Sequence, residues 1–143
     1  MIYEEPNFLR PENPPDLLLN HLDWADNAFQ FSSPNVDLTD WSERILELVL
    51  TYHEASVRLE ALDVLNTGLL EHREIKISLL RLAEKLSSLP NNELLEAIHI
   101  IGHSGDISLI EYVRPFLNHE EEYIRREAEE GLRDLMCAAT LSQ

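Results

Sequence analysis

The chain has 143 residues, of which 27 are acidic and 11 basic, for a formal net charge of -16. That length suits one continuous helical core without a second catalytic domain, and that charge repels nucleic acid while raising the encounter rate with a basic partner. No apolar run approaches the roughly 18 residues needed to cross a bilayer, no basic leader precedes an apolar stretch in Met1 to Arg10, and Cys137 is the single cysteine. The expectation is a cytoplasmic protein with no membrane contact and no disulfide, either a monomer or one half of a heterocomplex.

Five of the seven prolines (Pro6, Pro11, Pro14, Pro15 and Pro34) fall in the first 34 residues. Proline removes a backbone donor and disfavours helix in the residue before it, so residues 1–37 read as an irregular arm. Within it a short helix is expected from Asp16 to about Phe29, with Trp24, Phe29 and Phe31 as apolar anchors that need burial, either capping the helical domain or forming a partner-binding edge. From residue 38 to 143 the apolar residues fall into helical period, and six helices are expected. Their stripes are Trp41, Ile45, Leu48, Val49 and Tyr52; Val57, Ala61, Val64 and Leu65; and Ile75, Leu79, Leu82, Ala83 and Leu86. Leu94, Ile98 and Ile101 follow, then Ile107, Ile110, Val113 and Leu117, then Ile124, Ala128, Leu132 and Leu135. Gly68 and Gly102 are expected to end helices in the left-handed conformation, and Asp40, Asn91 and Asp106 to cap helix starts.

An internal repeat organises this pattern. Residues 50–61 align without a gap on 117–128, setting Val57, Arg58, Glu60 and Ala61 against Ile124, Arg125, Glu127 and Ala128 at an offset of 67 residues. Such a span holds two units of about 33 residues. The middle unit runs from Leu86 through Glu96 and Ala97 to Ile101, with Glu93 in the slot of Val57 and Ile124.

The run from Phe116 to Leu132, with Arg125 and Ala128, resembles the turn and second helix of a HEAT repeat. The segment from Glu96 to Asp106, with Ala97, Gly102 and Gly105, resembles the bacterial subtype also seen in phycobilisome lyases. The resemblance covers about residues 40–137 and implies an all-α fold, a short α-solenoid of three HEAT-like hairpins whose second helices line a concave face. It further implies that Arg58 and Arg125 are structural repeat arginines, each pairing with an acidic residue in a turn.

With offsets of 36 and then 31, the repeat makes Glu60, Glu96 and Glu127 equivalent, then Asp63, His99 and Glu130, then His103 and Asp134 with Thr67. Residues three and four apart are neighbours on a helix, so these positions form one face rich in carboxylates with two histidines at its centre. His99 and His103 have the spacing at which two imidazoles reach one metal, but Ile100 stands where metalloproteases carry glutamate, and no metal or cofactor is expected. Cys137 lacks a cationic environment beyond Arg133, and four glycines form neither a phosphate loop nor a serine elbow. The reading is a non-enzymatic protein-binding module, an acidic inhibitor or immunity-type protein that covers a basic toxin or nuclease. The alternatives are a chromophore-handling subunit like the bilin lyases and an adaptor subunit of a larger complex.

Overall fold

A computed structural model describes residues 7–31 and 37–141, and every regular element among them is helical. The α-helices are α1 (Pro15–Phe31), α2 (Leu38–Thr51), α3 (Ala55–Glu71), α4 (Leu80–Lys85), α5 (Asn91–His103), α6 (Ile110–Val113) and α7 (Glu122–Leu141). The chain clusters into two compact units, residues 1–77 and 78–143.

In the first unit α3 is the central element, with α1 and α2 both packed on it. Helix α1 has 17 residues and contains the helix expected from Asp16 to about Phe29. Pro15 is its first residue, where a missing N–H breaks no intrahelical bond and the fixed φ is already helical. Leu18, Leu22, Ala25 and Phe29 recur at helical spacing and are fully buried. The expected aromatic anchors divide: Phe29 is buried, whereas Trp24 is 37% and Phe31 77% exposed. Phe29 lies against Trp41 and His72, and its ring sits where a Cβ on Gly68 would be, 2.9 Å away. Gly68 therefore lies within α3 to admit that ring and does not end the helix. Pro6 and Pro34 lie outside the described residues.

The turn before α1 supplies the anchors that the sequence did not reveal. Phe8 and Leu9 are buried, and the Phe8 ring packs between His21 and Trp41 at centroid distances of 4.8 and 5.0 Å. Leu9 has φ 59°, an uncommon conformation for a residue with a Cβ, and its amide donates to His21 Nδ1 at 3.1 Å. Arg44 donates to the Phe8 carbonyl at 2.9 Å and the Tyr52 hydroxyl to the Asn13 carbonyl at 2.8 Å. Buried main-chain groups that would cost free energy if orphaned are thereby satisfied from α2 and its C-terminal end.

The stripes of α2 and α3 lie inside as expected, each large apolar side chain contributing about 1.5–3 kcal/mol. Asp37, not Asp40, caps α2, its carboxylate accepting from the Asp40 amide at 3.0 Å.

In the second unit α5 packs on α7. The expected helix from Ile75 to Leu86 shrinks to α4, though both ends of its stripe are buried. Its first residues include the β-branched Ile75 and Ile77, and the Ser78 hydroxyl accepts from the Leu80 amide, a local bond that competes with helix. Helix α6 is one turn between two 3₁₀ turns, Ile107–Leu109 and Arg114–Asn118, the second containing Pro115. Of its stripe, Val113 is buried, Ile110 and Leu117 are half-buried, and Ile107 is 48% exposed. Asp106 caps as expected, accepting from the Ser108 amide, whereas Pro90 occupies the cap position of α5 and Asn91 is its first residue.

Gly102 is helical, and its role is close approach: a Cβ there would stand 2.6 Å from the Cα of Gly131 on α7. The left-handed residue after α5 is Gly105, at φ 73°.

Candidate functional site

The eight expected surface residues occupy three helices: Glu60 and Asp63 on α3, Glu96, His99 and His103 on α5, and Glu127, Glu130 and Asp134 on α7. The first pair belongs to one unit and the other six to the second.

On the first unit the structure brings two further carboxylates to Glu60 and Asp63. Desolvation, then the charges of Asp63, Asp26 and Asp23, raise the Glu60 pKa above its ordinary carboxyl value. Asp23 and Asp26 sit three apart on α1, facing α3 where the two helices pack. Asp26 accepts from Gln30 at 2.8 Å through one carboxylate oxygen, while its other oxygen is shielded and has no hydrogen-bond donor against it among the described residues. Both aspartates lie inside the helix expected from Asp16 to about Phe29; what the sequence did not show is that they meet Glu60 across the packing of α1 on α3. The available signal was the spacing of Asp23, Asp26 and Gln30, which flank the buried stripe of Leu18, Leu22, Ala25 and Phe29.

On the second unit the packing of α5 on α7 makes rungs of opposite chemistry. His99 Nδ1 lies 3.2 Å from Glu127 Oε1 and His103 Nδ1 lies 3.9 Å from Asp134 Oδ2, with the two imidazoles edge to face at 4.4 Å. Desolvation raises the Glu127 pKa, His99 lowers it through charge and a hydrogen bond, and Glu130 and Glu96 raise it; the net direction is upward. The close crossing at Gly102 and Gly131 is what lets side chains as short as His and Glu meet across the two helices.

Arg58 and Arg125 occupy matched geometry. Arg58 donates to the Tyr52 carbonyl at 2.9 Å, and Arg125 to the His119 carbonyl at 2.7 Å and the Glu120 carbonyl at 3.0 Å. Tyr52 and His119 are themselves 67 residues apart and share extended backbone angles, (-69°, 141°) and (-63°, 148°). Each arginine thus ties down main-chain carbonyls at the end of the preceding helix, groups a helix leaves unsatisfied.

Among the described residues, no three His, Cys, Asp or Glu side chains are grouped to hold a metal ion, and no helix is long and apolar enough to cross a membrane. Cys137 is exposed on α7. No protein-family model matches this chain, and no curated protein or solved structure matches it significantly.

Proposed function

We propose that this chain is a non-enzymatic, cytoplasmic binding module of HEAT-like hairpins in a short solenoid, and that it docks a basic protein in the manner of an inhibitor or immunity protein covering a toxin or nuclease. The observation that carries the reading is the convergence of Asp23, Asp26, Glu60 and Asp63. The largest charges acting on Glu60 are all negative, and one oxygen of Asp26 is shielded with no donor against it among the described residues. Like charges held together cost free energy that an incoming Lys or Arg recovers, and arginine supplies donors as well as charge. Glu96, Glu127, Glu130 and Asp134 extend the same preference, moderated by His99 and His103.

The test is affinity purification from the native host at low salt with a separate wash at about 0.5 M, where exposed charge attraction is well screened. A single basic protein in the wash is the expected result. Its dissociation constant should rise at least about tenfold, with a shallower salt dependence, when Glu60 and Asp63 are both replaced by Lys. Unchanged affinity in that variant and in a Glu96→Lys, Glu127→Lys, Glu130→Lys variant would sink the reading. Release of a coloured small molecule instead of a protein would turn attention to a chromophore-handling role.

A further inference from the structure

The outward face of α7 carries a pattern unconnected with the acidic edges. Glu122, Arg126, Glu129 and Arg133 follow one another at spacings of four, three and four, which places them in a single stripe along the helix. All four are exposed, and Arg126 already pairs with Glu122 at 2.9 Å. Read backwards, the signs of the stripe are the reverse of the signs read forwards. An antiparallel copy of the same helix, centred between Glu127 and Ala128, sets Glu122 against Arg133 and Arg126 against Glu129. Two-fold symmetry makes each pairing twice.

The stripe also borders an apolar groove of about 510 Å³ with Leu117, Leu132, Met136 and Cys137 among its lining. Met136 is 47% exposed. The internal repeat shows that this face departs from its counterpart. Leu62, Leu65 and Leu69 of α3 stand in the slots of Glu129, Leu132 and Met136, and Leu62 and Leu65 are fully buried. Where α3 carries an apolar face that the fold covers, α7 keeps an apolar floor, leaves it open and lines its rim with alternating charge. Three of the eleven basic residues of this acidic chain, Arg125, Arg126 and Arg133, lie on this one helix.

We propose that this face docks a second copy of the same chain, the two α7 helices antiparallel about a two-fold axis between Glu127 and Ala128. The partner is selected by the stripe's self-complementary charge, and the copies meet along a stripe whose two acids and two arginines balance. Glu127, Glu130 and Asp134 point to another side of α7, so the acidic edge between α5 and α7 stays open in the dimer, and this inference does not rest on the nature of its partner.

The test is sedimentation equilibrium of the full chain at about 0.15 M salt, from roughly 1 to 300 µM. A dimer is expected within that range, weakening at higher salt. A chain with Glu122→Arg and Glu129→Arg and a chain with Arg126→Glu and Arg133→Glu should each be monomeric, and an equimolar mixture of the two should restore a dimer. Both variants lose the Glu122 to Arg126 pair, so Met136→Glu, which keeps the stripe and places a carboxylate in the groove, gives a second measure. It should raise the dimer dissociation constant at least about tenfold. A wild-type chain that stays monomeric throughout overturns the proposal, as does a dimer that persists in both single-sign chains.

Discussion

Glu60 and Glu127 fill the same slot of the internal repeat, yet their surroundings differ in kind. Glu60 on α3 faces Asp23 and Asp26 of α1, while Glu127 on α7 faces His99 of α5. In each unit the repeat sets where the carboxylate stands, and the helix packed against it sets the chemistry. The α1–α3 edge holds a fixed negative charge. The α5–α7 edge holds carboxylates opposed by imidazoles.

The sharpest way to break this contrast is at the helix crossing. Gly102→Ala forces a Cβ to within 2.6 Å of the Gly131 backbone, and backbone cannot step aside. The loss is expected to be about 3 kcal/mol, with the His99–Glu127 rung opened, as read by chemical denaturation and by loss of imidazole-to-carboxylate contacts in NMR spectra. Gly68→Ala in the first unit meets the Phe29 ring, which can rotate, so a smaller loss of about 1–2 kcal/mol is expected in the same assay. Arg58→Ala and Arg125→Ala probe the shared part of the repeat. The first exposes the carbonyl of buried Tyr52 and should cost about 2 kcal/mol; the second, at half-buried His119, should cost about 1 kcal/mol.

Two smaller effects sharpen the comparison. His99→Ala removes the positive influence on Glu127, so its carboxyl should titrate higher still and behave like Glu60; carbon-detected NMR titration measures the change. Glu60→Gln tests the fixed edge through pH. Burial and its three aspartate neighbours raise the Glu60 pKa, so the folded state holds the proton more tightly than the unfolded chain and stability falls as pH rises through that range. The variant should be more stable than wild type at neutrality, and the two should coincide below about pH 4, where Glu60 is protonated in both states.

How much of this was legible depends on where the information resides. The stripes of α2, α3, α5 and α7 were readable because helical period is local, and the 67-residue offset set Arg58 against Arg125, whereas the Tyr52 and His119 carbonyls they reach came only from the structure. The glycines were misread because close approach depends on what lies across the gap: nothing near Gly102 in sequence announces Gly131, and nothing near Gly68 announces Phe29. The helix expected from Asp16 to about Phe29 is α1, longer by one residue at its start and two at its end, but the meeting of Asp23 and Asp26 with Glu60 depends on α3 and is not local to that segment. Trp24 and Phe31 were expected to be buried on hydropathy alone, but the buried side of α1 is the one bearing Leu18, Leu22, Ala25 and Phe29, and Phe8 and Leu9 fill the space against His21 and Trp41. The regular helix expected through Ile107 to Leu117 breaks at Pro115, whose effect the apolar spacing masked.

The turn at Leu9 also carries a clock. Its amide is held by a buried imidazole, beneath a Phe8 ring closed over on two sides, so solvent deuterium reaches that nitrogen only after the ring has left and the left-handed residue has relaxed. The exchange rate of one N–H therefore times the opening of residues 7–13 separately from the melting of the helices beneath. A partner that clamps this end of the first unit would slow that single rate while leaving the amides of α5 and α7 at their own pace.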